Sequence, residues 1–92
     1  MTTVNVTAKH IAKGERDSCR FCPVAHAIRE ALPDIELVAV DSAFASLGHP
    51  DAWPACREIA LPEAATRFIE AFDGGDPVRP FTFDLDYPAV TA

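Results

Sequence analysis

Positive charge is in short supply in this sequence: eight Lys and Arg stand against fourteen Asp and Glu, for a net charge of −6. General binding to nucleic acid needs basic side chains to displace counterions from phosphates. Here they are few and spread along the chain, so direct nucleic-acid binding is not expected. Long apolar runs are missing as well. Nothing approaches the roughly 20 apolar residues that span a bilayer, so no membrane association is expected. The first ten residues, MTTVNVTAKH, lack the basic-then-apolar order of a secretory signal. The three cysteines are an odd number. Without a signal they fit a reducing cytosol better than a disulfide scaffold. The signatures G-x-x-x-x-G-K-[ST], G-x-G-x-x-G, G-x-S-x-G and H-E-x-x-H are all absent. No phosphate cradle, nucleophile elbow or zinc-protease helix is therefore encoded in a recognisable form, and a non-catalytic protein is expected.

What is present centres on residues 17–32, DSCRFCPVAHAIREAL. Pro23 suits the first position of a helix, where its missing N–H is no loss and its φ is already helical. Cys22 then takes the N-cap position, with Asp17 and Ser18 upstream able to cover free N–H groups. Val24, Ala27, Ile28, Ala31 and Leu32 recur at three- and four-residue steps and form one apolar stripe. Pro33 ends the helix, because the residue before proline is pushed out of the α region.

The cysteines of this stretch support three readings. In the first, Cys19, Cys22 and His26 converge on a structural zinc ion, since positions four apart share a helix face. Cys56 or His49 would supply the fourth ligand, although the tight second ligand pair of a standard zinc module is absent. In the second, Cys22 is a reactive thiolate whose pKa is lowered by the helix dipole. Thioredoxin-like motifs, however, follow a buried strand, and the run before Cys19 is a loop. In the third, both thiols simply pack as small hydrophobes. No cofactor is expected, zinc being the single alternative.

The remaining pattern predicts the order β-α-α-β-β-α-β. Val4 and Val6 alternate with polar neighbours in a short strand. Thr7 caps a short helix over residues 8–13, closed by Gly14 in a left-handed conformation. His10 in that helix reads as solvated. Residues 35–40 form a strand with apolar residues on both faces, expected to be central, and 57–61 form its hairpin partner across an irregular loop. Residues 43–47 either extend the first of these strands or start a turn. Pro62 opens a helix at its first position, with Ala65, Phe68, Ile69 and Phe72 as the apolar stripe. Phe81, Phe83, Leu85 and Tyr87 then alternate with Thr82, Asp84 and Asp86 in the clearest strand. The expectation is a single α+β domain over residues 1–92: a short, mostly antiparallel sheet of about four strands, with two main helices packed on one face.

VNVTAKHIAKG, CRFCPVAHAIREAL and LPEAATRFIEAFDGGDPVRPFTFDLD, covering over half the chain, resemble small proteins of unassigned function encoded by actinobacterial phages and prophages. Residues 41–58 carry no comparable match. The resemblance implies expression in the host cytoplasm and action on a host protein, as a monomer or small homo-oligomer. It transfers no catalytic residue. Two surfaces are candidates for that contact: the loop carrying Trp53, because exposed Trp is common in binding hot spots, and the acidic strand face of Asp84 and Asp86. Alternative functions are the zinc or thiol-redox role of the Cys-x-x-Cys motif, and inhibition of a nucleic-acid-binding protein by acidic mimicry of DNA.

Overall fold

A computed structural model of the chain describes residues 1–33, 35, 37–41, 43–48 and 57–87. These form β1 (Thr2–Val6), α1 (Ala8–Lys13), α2 (Pro23–Ala31), β2 (Leu37–Val40), β3 (Phe44–Gly48), β4 (Arg57–Ala60), α3 (Glu63–Asp73) and β5 (Phe81–Leu85). The α+β class expected from the sequence is the class observed. The strands are antiparallel throughout, but they divide into two hydrogen-bonded sheets, β1-β5 and β2-β3-β4.

The first sheet follows from period-two patterning. Val4 lies opposite Phe83 and Val6 opposite Phe81, which places apolar pairs on the inner face. On the outer face the Thr3 hydroxyl donates to Asp84 Oδ1 at 3.0 Å, and the Thr82 hydroxyl donates to Asn5 Oδ1 at 3.1 Å. The strand ends at Leu85, so Asp86 and Tyr87 lie beyond the regular ladder that the alternation predicts.

The second sheet departs from the expected hairpin. β2 pairs with β3 rather than with β4, and β3 is the central strand. The turn that makes this happen belongs to Asp41. Its Oδ1 accepts the N–H groups of Ala43 and Phe44 at 2.7 and 2.6 Å, so the carboxylate stands in for backbone and reverses the chain. β2 is therefore an edge strand. Its outer edge is met by the loop before α2, whose Cys19 carbonyl accepts the Val40 N–H at 2.6 Å.

The helices begin and end for local reasons. Cys22 is the N-cap of α2 and Pro23 its first residue. α3 begins at Glu63, with Pro62 one place earlier than expected, at the N-cap. Glu63 and Arg67 pair across one turn at 2.5 Å. Gly14 closes α1, but with φ −66° and ψ 147° rather than in the left-handed region. Glycine is needed there for space: a Cβ would lie 2.4 Å from the Pro23 ring, so α1 could not approach the start of α2.

Both long helices bury their stripes in one core. Ile28, Val24 and Leu32 are fully buried, Phe68 and Ile69 nearly so, and Phe72 packs against them half-buried. Rings tie α3 to β5. Phe72 stacks on Phe68 at 6.2 Å, Phe68 meets Phe81 at 4.7 Å, and Phe81 stacks on Phe83 at 5.6 Å between centroids.

Candidate functional site

The Cys-x-x-Cys stretch is built from a loop and a helix start that hold each other. Cys22 is only 3% exposed, and its Sγ accepts the Ala25 N–H at 3.4 Å, so the thiol itself caps α2. Burial pushes this thiol above its ordinary pKa, outweighing the nearby N–H groups of Ala25 and Val24, which pull it down. That corrects the expectation of an activated thiolate: the dipole at the helix start is present, but desolvation is larger. Cys19 is exposed. His26 does not turn toward Cys22; its ring faces Phe21 and Arg29. Among the described residues, no three His, Cys, Asp or Glu side chains gather as a metal-holding set. Cys56, His49 and Trp53 lie outside the described residues.

What the stretch does bring together was not predicted as a site. Phe21 is 49% exposed, on a loop otherwise closely tied down. Its N–H donates to Ser18 Oγ at 3.1 Å, and its carbonyl accepts the Glu15 N–H at 2.8 Å. Arg29 lies over the ring, with Cζ 5.5 Å from the centroid. The same guanidinium donates to the Arg20 carbonyl and reaches His26 Nδ1 at 3.5 Å. Burial, and then the Arg29 charge, lower the His26 pKa, so the imidazole stays neutral and Nδ1 remains an acceptor. The result is an exposed aromatic ring packed against an adjoining guanidinium and imidazole. The sequence signal available was Phe21 just before a helix start, with Arg29 two turns into that helix.

His10 is the second residue that sequence reasoning misplaced. It is 5% exposed, not solvated. Its Nδ1 accepts the Thr7 N–H at 3.0 Å while the Thr7 hydroxyl accepts the His10 N–H at 3.4 Å, a reciprocal capping box with histidine in the usual place of Glu. Because Nδ1 accepts, the ring proton sits on Nε2, which donates to Glu30 Oε2 at 2.7 Å. The hydrogen bond from His10 holds the Glu30 carboxyl below its ordinary pKa. The histidine therefore joins α1 to α2.

The acidic strand face is less free than expected. Asp84 is exposed but already accepts the Thr3 hydroxyl, and Asp86 lies past the end of β5. No helix among the described residues is long and apolar enough to cross a membrane. The chain matches no protein-family model, no curated protein and no solved structure.

Proposed function

We propose that this chain is a small, non-catalytic binding module of phage type that acts in the host cytoplasm by docking on a host protein. The observation that carries the reading is Phe21, half-exposed on a loop held by hydrogen bonds and stacked under Arg29. Aromatic residues and Arg are the side chains most enriched at interface centres. A ring that is already fixed loses little freedom when a partner covers it. It favours a docking surface at the start of α2 over the Asp84 and Asp86 face suggested by the sequence.

The test is capture from an actinobacterial host lysate on immobilised wild type, Phe21→Ala and Trp53→Ala. Wild type is expected to retain one host protein saturably. Phe21→Ala is expected to bind it at least about tenfold more weakly with an unchanged melting temperature. Equal retention by wild type and Phe21→Ala, or no saturable partner, overturns the proposal. Loss with Trp53→Ala alone moves the surface to the other candidate loop.

A further inference from the structure

A cleft of about 510 Å³ opens between the end of α1 and the end of α3. Ile11, Phe72 and Val78 supply apolar walls, and Arg16 and Asp76 supply one charge of each sign. The guanidinium of Arg16 lies flat over Gly75, with its Cζ and both Nη atoms 3.7 Å from the place a Cβ would occupy. Gly75 has φ +82°, so the backbone favours glycine there. The adjacent Asp17 N–H is held by Asp73 Oδ1 at 3.0 Å, which anchors the segment carrying Arg16 to the end of α3. Asp76 Oδ2 sits 3.8 Å from the Cβ position of Gly74.

The charges of Arg16 and Asp76 are unanswered. Among the described residues neither side chain has an ion pair or hydrogen bond, and the two are not paired with each other. Arg16 presents a planar fork suited to a carboxylate. Asp76 and the carbonyl end of α3 favour a cation. One small class of molecule carries a carboxylate and an ammonium on the same carbon with an apolar group beside them.

We infer that this cleft binds a free α-amino acid with an apolar side chain. Arg16 takes the carboxylate, Asp76 takes the ammonium, and Ile11, Phe72 and Val78 receive the side chain. The volume is in the range of small-molecule sites and exceeds what a single leucine fills, so a short apolar peptide with free ends is the upper size limit.

Amide chemical shifts of the full chain, titrated with L-leucine, N-acetyl-L-leucine and L-leucinamide, test the inference. Leucine is expected to move the resonances of Gly75, Asp76 and Val78 saturably. Loss of either ligand charge is expected to weaken binding about tenfold, the usual worth of a charged hydrogen bond. Arg16→Gln should abolish the preference for leucine over leucinamide, and Asp76→Asn the preference over N-acetyl-leucine. Both positions are exposed, so neither variant threatens folding. No saturable shift with leucine, or identical titrations by all three compounds, overturns the assignment. Phe21→Ala should leave these titrations unchanged, which separates this site from the proposed docking surface.

Discussion

Cys22 keeps its proton because the core around it cannot solvate a thiolate. The folded pKa lies above that of an unfolded cysteine, so the folded state binds this proton more tightly. The corresponding stability is fully present below the unfolded pKa of about 8.5 and is lost as pH rises through the folded value. Two measurements follow as one prediction. Iodoacetamide should label Cys19 rapidly and Cys22 only on unfolding, resolved by peptide mass spectrometry. The melting temperature should fall above about pH 8.5, more steeply in wild type than in Cys22→Ala. Labelling of Cys22 as fast as Cys19 would contradict this account. The sequence marked Cys22 as a cap by position, through Pro23, and its burial is the packing reading of that thiol, while Cys19 is exposed. Whether a thiol at a helix start is activated or silenced depends on what packs over it, and here it lies in the core.

Among the elements, α1 is too short to persist alone, since isolated helices of fewer than about 12 residues are marginal in water. It is held by Thr7 at one end, by close approach to Pro23 at the other, and by His10 to Glu30 across to α2. His10→Ala removes the reciprocal cap and the tie to α2 together. Loss of a cap costs about 0.5–2 kcal/mol, and each kcal/mol lowers the melting temperature of a domain this size by about 4–8 °C. A calorimetric scan showing no change would mean that the capping box is not formed in solution. Helix positions were legible because Thr7, Pro23, Pro33 and Asp73-Gly74-Gly75 are local signals. The pairing of β2 was not. Phe44–Gly48 is FASLG, whose small residues blur the alternation that marks a strand, and the deciding turn rests on one carboxylate, Asp41. His10 was misplaced for a related reason, because histidine is a rare substitute for Glu in a capping box.

For the molecule as a whole, one core serves both sheets and all three helices. α2 is its hub, packing against α1, β1 and β2. Ile28→Ala should therefore cost about 2–5 kcal/mol out of a total of about 5–14 kcal/mol typical for this length. Urea unfolding measures the difference, and a loss below about 1 kcal/mol would show that Ile28 is not at the centre of packing. The α+β class was readable from periodicity alone, and the buried stripes fall where the spacing puts them. The exposed ring of Phe21 was not readable, because exposure at a loop is decided by what the loop is fastened to.

β1 and β5 are the first and last regular elements described, and the Thr2 hydroxyl reaches the Tyr87 carbonyl across a separation of 85 positions. During synthesis β1 must wait for three helices and three strands to be made before its hydrogen-bonding partner leaves the ribosome. The β2-β3 hairpin, by contrast, has both strands available early. In the meantime the inward valines of β1 can shelter against α2. The nascent chain thus closes like a purse, with the drawstring pulled last.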